Sequence, residues 1–362
     1  MIQWTEAGLR RSAPWRSVLG APPPARVVVA DDRTKADTAY KLACEGTALL
    51  WQGDFHNARQ LLTAMGRRCR PAAPGSGFHR HRQAQSQRAR TLGMLLIPYD
   101  ADHVVPLRRA PRRTRGVRGG ARPARAARGG PAARAARPDR RPRVAGQGRA
   151  RARARRPHPP PHHGVFSPIR GEYVDLVAEA PLPADRLAFD VGTGTGVLAA
   201  VLARRGVRRV VATDLDERAV ACAAENVARL GLAERVEVVR TDLFPPGRAP
   251  LVVCNPPWLP AKPVSPLDHA VYDPGGRMLR GFLDGLAEHL EPEGEGWLVL
   301  SDLAEHLGLR SRAELLEAFE RAGLRVAGRL DVPPRHSRSR DPGDPLHAAR
   351  AAEVTSLWRL TR

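Results

Sequence analysis

Two clusters in this chain have residue types and spacing that suit chemistry. Asp190-Val-Gly192-Thr-Gly194-Thr-Gly196 follows the apolar run Leu187-Ala-Phe189 and precedes Val197-Leu-Ala-Ala-Val-Leu-Ala203, a good helix former. The glycines are therefore expected on a strand-to-helix turn. Glycine there lets the backbone take positive φ and come close to a ligand. Asn255-Pro256-Pro257-Trp258 follows Leu251-Val-Val-Cys254, a fully apolar run of the kind buried on both faces of a parallel sheet. Both motifs then stand at strand ends on one rim, where open α/β sheets bind ligands. The pair points to a ligand-binding rim.

The elements that must position them can be read between and after the motifs. Residues 207–212 read as a second strand ending in Thr213-Asp214, and 218–229 as the helix of a βαβ unit. A carboxylate about 20 residues beyond such a glycine loop lies at the tip of the neighbouring strand, where it can accept both hydroxyls of a ribose. Asp214 has that place. Asp216 is either a second acceptor or the N-cap of the following helix, and the cap is favoured. Residues 235–239 alternate as a third strand that ends in Thr241-Asp242. Residues 297–300 read as a fifth strand, 312–321 as a helix, and 324–330 with 353–360 as a closing antiparallel pair. The link 332–352 is long and carries Arg335, His336, Arg338 and Arg340, so it reads either as a hold for an anionic substrate or as a solvated basic loop.

The glycine spacing excludes a nicotinamide or flavin fingerprint, Gly-x-Gly-x-x-Gly, because Val197 stands three residues after Gly194. Gly-x-Gly-x-Gly after an acidic residue, followed by Asp214, Asp242 and Asn-Pro-Pro-Trp in that order, resembles the class I S-adenosylmethionine-dependent methyltransferases. It is similar to the release-factor and ribosomal-protein glutamine N5-methyltransferases (HemK-like) and to the small-domain rRNA methyltransferases. The resemblance implies a Rossmann-like α/β fold with a seven-stranded sheet, helices on both faces and a small N-terminal helical domain. It implies S-adenosyl-L-methionine as cofactor, held by Asp190, Gly192, Gly194, Gly196, Asp214, Asp242 and Asn255, with Asp242 meeting the adenine amino group. It also implies catalytic roles for Asn255, Pro256 and Trp258. The Asn255 side-chain oxygen and the Pro256 carbonyl would accept both hydrogens of a planar NH2, and the Trp258 ring would stack on its plane. The expected reaction is N-methylation of a protein glutamine amide in a release factor or ribosomal protein. The alternatives are a base of rRNA, at guanine N2 or adenine N6, and a non-catalytic binding module that kept the fold. Phe166 and Pro168, in Val165-Phe-Ser-Pro168, and Tyr272-Asp273-Pro274-Gly275-Gly276 with a helix at 278–290 resemble segments of the glutamine-modifying enzymes. Phe166 and Pro168 read equally well as a hydrophobic staple and turn before a helix at 171–178.

The formal net charge of +22 and the pI near 11.4 suggest a nucleic-acid partner. Residues 107–156, however, hold 19 arginines against the single acid Asp139, so they supply +18 and leave +4 on the other 312 residues. That stretch is nearly all Arg, Ala, Pro and Gly, residues of GC-only codons. It reads either as a disordered arm that binds RNA phosphates or as sequence translated out of frame. The frame error is favoured, because globular-looking sequence stops after Pro106 and resumes near Gly164. The expected organisation is therefore an N-terminal helical substrate-recognition domain at 1–106, incomplete if the frame has shifted, then an anomalous segment at 107–163 and the methyltransferase domain at 164–362.

In the first of these, 35–51 and 54–67 read as two helices. Asp54 caps the second, and Phe55, Ala58, Leu61, Leu62 and Met65 form its apolar face. Residues 94–98 start a strand whose partners would fall in the anomalous segment. Cys44, Cys69, Cys222 and Cys254 have no paired spacing and are expected to be reduced. Metal-ligand spacing is absent, as are a signal-peptide pattern and a membrane-length apolar run, so a cytoplasmic location is expected.

Overall fold

The computed structural model describes residues 1–17, 21–73, 75–100, 104–111, 132–134, 171–263, 268 and 271–362. Most of 107–163, including Val165-Phe-Ser-Pro168 just beyond it, lies outside them. The chain divides into two compact units, Met1–Pro142 with Val264–Pro266, and Arg143–Pro263 with Leu267–Arg362.

The first unit contains strands β1 (Ile2–Glu6), β2 (Leu9–Ala13), β3 (Trp15–Arg16) and β4 (Arg26–Ala30), helix α1 (Ala36–Cys44), strand β5 (Thr47–Trp51), helices α2 (Phe55–Arg68) and α3 (Phe78–Gly93), and strands β6 (Leu95–Tyr99) and β7 (Ala132–Arg134). A helical domain was expected; this one is α/β. β4, β5 and β6 are parallel neighbours, β7 lies antiparallel to β6, and β1–β2 is a separate hairpin. The expected helix at 35–51 ends at Gly46, whose φ of +79° breaks it. Thr47-Ala-Leu-Leu-Trp51 is then a wholly buried strand. Its side chains alternate between two cores, as a strand requires. Leu49 and Trp51 meet α1 and α2, while Ala48 and Leu50 meet Ile2, Trp4 and Ala13 of the hairpin. α2 forms as read from the sequence: the Asp54 carboxylate accepts from the His56 N–H at 2.8 Å and also from Arg108 and Arg109.

The second unit contains α4 (Glu172–Glu179), β8 (Leu187–Val191), α5 (Val197–Arg204), β9 (Arg209–Asp214), α6 (Glu217–Arg229), β10 (Val236–Arg240), β11 (Ala249–Cys254), α7 (Arg277–His289), β12 (Leu290–Ser301), α8 (Leu303–His306), α9 (Arg312–Arg321), β13 (Arg325–Val332), α10 (His347–Ala352) and β14 (Thr355–Thr361). Its seven-stranded sheet has the order β10-β9-β8-β11-β12-β14-β13. The strands are parallel from β10 to β12, with β14 antiparallel to both of its neighbours. One core packs Ala188, Leu251, Val253, Trp297 and Val299 against α4 and α5; the other packs Phe189, Val191, Val252, Leu298 and Leu300 against α7 and α9. A sheet buried on both faces is what its near-continuous apolar strands demand.

After β8 the chain builds outward through β9 and β10, and then returns to add β11 on the other side of β8. The crevice of this sheet therefore opens at the C-terminal ends of β8 and β11. The register is direct: Cys254 pairs with Val191, so Gly192 and Asn255 leave the sheet side by side.

Candidate active site

The glycine loop adopts the backbone that its sequence calls for. Gly192, Gly194 and Gly196 have φ of +72°, +57° and +79°. At Gly194 an added Cβ would meet nothing within 4 Å, so there is open space above the loop for a ligand. Gly196 is different: a Cβ there would lie 3.3 Å from Cα of Ala223 on α6, so this glycine serves close packing. At Gly192 the nearest neighbour is the Met278 methyl group from the start of α7.

Asp190 is 1% exposed and turned inward, not toward the rim. Its Oδ2 accepts from Thr193 Oγ1 at 2.6 Å and from the Ala199 N–H at 2.9 Å, which pins the loop to the first turn of α5. Burial raises its pKa to about 6, although both hydrogen bonds pull the other way. Its place relative to the ligand is thus behind the loop.

Asp214 ends β9, half-buried at the crevice. Its Oδ2 accepts from the Gly194 N–H at 3.0 Å and its Oδ1 from the Asp216 N–H at 2.9 Å. The Leu215 N–H also donates to this carboxylate, and since its two oxygens accept about four hydrogen bonds in all, a position remains for a hydroxyl donor. Burial pushes this carboxyl above its ordinary pKa, opposed by those N–H bonds. Asp216 is the cap of α6, accepting from the Arg218 N–H at 2.9 Å. Asp242 follows β10, and its Oδ2 accepts from Arg277 at 2.6 Å across an exposed ion pair.

Asn255 stands beside the glycine loop. Its Oδ1 accepts from the Trp258 indole N–H at 2.8 Å, an interaction that the motif reading did not contain. The Trp258 ring packs against both cores of the unit. After Trp258 the chain returns to the rim through a bridge between Leu259 and Tyr272. Buried Asp273 then accepts from the Met278 and Leu279 N–H groups, capping α7 across the Pro274-Gly275-Gly276 turn. Thr193, Asp273, Arg277 and Met278 all shape the rim and were missed as site residues. The Asp-Pro-Gly-Gly signal before a helix was visible in the sequence, whereas the contacts of Arg277 and Met278 depend on tertiary structure.

The basic link is held down. Arg335 donates its N–H to Glu172 and pairs with Asp175 at 3.3 Å, both on α4. His336 lies 3.4 Å from Glu353, which also accepts from Ser301 Oγ at 2.5 Å. Arg335 and His336 are therefore engaged within the fold, while Arg338 and Arg340 are exposed. The four cysteines are free, with Cys222 and Cys254 buried and Cys44 exposed. Among the described residues no His, Cys, Asp or Glu cluster could hold a metal, and no helix is long and apolar enough to cross a membrane.

Residues 177–275 match the family model described as ribosomal protein L11 methyltransferase (PrmA). The chain is 35% identical over 176 residues to a release factor glutamine methyltransferase of Cereibacter sphaeroides, covering 45% of this chain and 62% of that protein. It is 52% identical over 69 residues to a ribosomal protein L11 methyltransferase of Pelotomaculum thermopropionicum, covering 18% of this chain and 22% of that one. It is also 39% identical over 88 residues to a tRNA1(Val) (adenine(37)-N6)-methyltransferase of Bacteroides thetaiotaomicron, covering 23% of this chain and 37% of that one. The chain thus spans less than two thirds of the length of each of these relatives. Sheet order, motif order and these similarities agree that the second unit has the class I methyltransferase fold and resembles the S-adenosylmethionine-dependent methyltransferases.

Proposed function

We propose that this chain transfers a methyl group to the nitrogen of a planar NH2 held at Asn255, and that the acceptor is a glutamine side-chain amide of a translation protein. One observation carries the reading: Asn255 leaves β11 directly beside the glycine loop of β8, with its Oδ1 fixed by the Trp258 N–H. That oxygen keeps a second acceptor position for a substrate N–H, and the Pro256 carbonyl supplies an acceptor next to it in the chain. Two acceptors suit the two hydrogens of one NH2 and turn its lone pair out of their plane. S-adenosylmethionine, when bound, supplies the electrophilic methyl group. The open space over Gly194 and the spare acceptor position on Asp214 suit that cofactor, and Asp242 lies at the next strand end, where an adenine could meet it.

Orientation is the main contribution of these residues. Aligning a nucleophile in a desolvated crevice is worth several orders of magnitude in rate without a strong base, and the NH2 proton can leave after charge develops on nitrogen. A glutamine amide is favoured over a base because the longest of the similarities given above is to a release factor glutamine methyltransferase. The first unit would then contribute to substrate recognition.

The experiment is transfer of tritiated methyl from S-adenosylmethionine into ribosomes and release factors, separated afterwards into protein and RNA. Label in protein glutamine is expected, with Asn255→Ala lowering it at least about 100-fold while leaving cofactor binding nearly intact. Label confined to RNA would replace glutamine by a base as the acceptor. Full turnover in the variant would remove Asn255 from the site, and cofactor binding without transfer to either fraction would favour a binding module.

A further inference from the structure

We propose that the outer faces of α2 and α3 form a docking surface for the phosphate backbone of RNA. Charge is segregated in this chain. Residues 55–93 contain eight arginines and no aspartate or glutamate. With +18 in 107–156 and +8 in 55–93 out of +22, the rest of the chain sums to −4. GC-rich codons raise arginine everywhere, and elsewhere acids balance it. In these two helices nothing does.

The fold turns part of this charge outward, on α3 along one regular stripe. α2 gives Ala58, Leu61, Leu62 and Met65 to the core and leaves Arg59 and Arg67 exposed. α3 buries only Phe78, Thr91 and Leu92. Its exposed residues Arg80, Gln83, Gln87 and Arg90 recur at i, i+3, i+7 and i+10, which is one helix face about 15 Å long. Two other arginines are engaged within the unit: Arg68 pairs with Asp37, and Arg88 donates to the Gly66 carbonyl. They hold the layer together and leave the stripe to solvent.

The chemistry of the stripe selects its partner. Arginine and glutamine are the side chains that contact phosphate and sugar oxygens, and glutamine amides suit the 2′-hydroxyl that only RNA offers. A protein partner needs an apolar anchor near the centre of its interface, and a membrane-surface helix needs an apolar face. Among the described residues the exposed large hydrophobics are Met1, Leu9, Val28, Leu215, Leu316, Val326 and Leu330, none of them on α2 or α3. No Phe, Tyr or Trp is exposed on these two helices, which also points to backbone contacts rather than base stacking.

The test uses the full chain and a fluorescent RNA hairpin of arbitrary sequence. Arginines are modified with phenylglyoxal with and without the hairpin and read peptide by peptide, which separates α2 and α3 from the arginines of 107–156. Arg59, Arg67, Arg80 and Arg90 are expected to be protected several-fold, with exposed Arg204 of the second unit unaffected. Polyglutamate, phosphatidylserine vesicles and a DNA duplex of equal charge should protect them less. Arg80→Gln with Arg90→Gln should weaken hairpin binding and flatten its log–log salt dependence by about 1.5. Unprotected arginines or an unchanged slope would overturn the proposal. Equal protection by polyglutamate, vesicles or DNA would assign the face to an acidic protein, a membrane or nucleic acid in general. None of these readouts involves methyl transfer, so their failure leaves the N-methyltransferase reading untouched.

Discussion

Each unit of this chain runs parallel strands into helices, yet the two rims end differently. In the first unit β4 enters the turn Asp31-Asp32-Arg33-Thr34, which is braced by its own hydrogen bonds and by those to Asp54 and Asn57. Asp31 Oδ1 accepts from the Arg33 N–H, and Thr34 Oγ1 accepts from the Asp31 N–H. Asp32 Oδ1 takes the Asp54 N–H and the Asn57 amide. The glycine of that rim, Gly53, is packed so closely that a Cβ would lie 2.5 Å from Asp32 Oδ1. In the second unit β8 enters a glycine turn with open space over Gly194, beside the half-buried Asp214 carboxylate. A parallel sheet supplies the place for a site; the turn residues decide whether the space there is filled by the protein, as at Gly53, or left open, as over Gly194.

Three substitutions break or sharpen this contrast. The largest effect is expected at Asp190, whose pKa of about 6 against an ordinary 3.8 reflects burial of its charge. The folded state holds its proton more tightly than the unfolded state does. Its contribution to stability is therefore highest below about pH 4 and is lost as pH rises through 6, a change of about 3 kcal/mol. Asp190→Asn has no charge to bury, so this descent between pH 4 and 6 should disappear from its denaturant midpoints. A variant that keeps the wild-type pH slope would show that Asp190 is not the group responsible.

Gly196→Ala comes next. It places a side chain at φ +79° and 3.3 Å from the backbone of Ala223, and the left-handed conformation alone costs about 1–2 kcal/mol. A lowered melting temperature checks it, and an unchanged one would mean that the loop tolerates a Cβ. The smallest effect belongs to the other rim. Asp32→Ala removes two hydrogen bonds at a cost on the order of 1 kcal/mol and should leave S-adenosylmethionine affinity untouched in calorimetry. Weakened affinity there would erase the distinction between the rims.

The rim at β8 and β11 was legible in the sequence because its residues are chemically marked: glycines where φ is positive, carboxylates at strand tips, and Asn-Pro-Pro at the end of an apolar run. The inward turn of Asp190 was not, since the same Asp-x-Gly pattern suits either direction. β5 was hidden because Thr47-Ala-Leu-Leu-Trp51 follows a helix and has no polar alternation, being buried on both faces. α3 was missed because its buried residues are few and carry no helical period. The anchoring of the 332–352 link was out of reach, as Arg335 meets Glu172 from 163 positions away.

Calorimetry of S-adenosylmethionine with the wild-type chain and with Asp214→Ala tests the central claim most directly, that this rim keeps its acceptors for the cofactor. The wild type should bind, and the variant should bind more weakly by roughly 1.5–3 kcal/mol, the worth of hydrogen bonds to a charged acceptor. Equal affinities would take Asp214 out of the site, and absence of binding to either protein would contradict the account altogether.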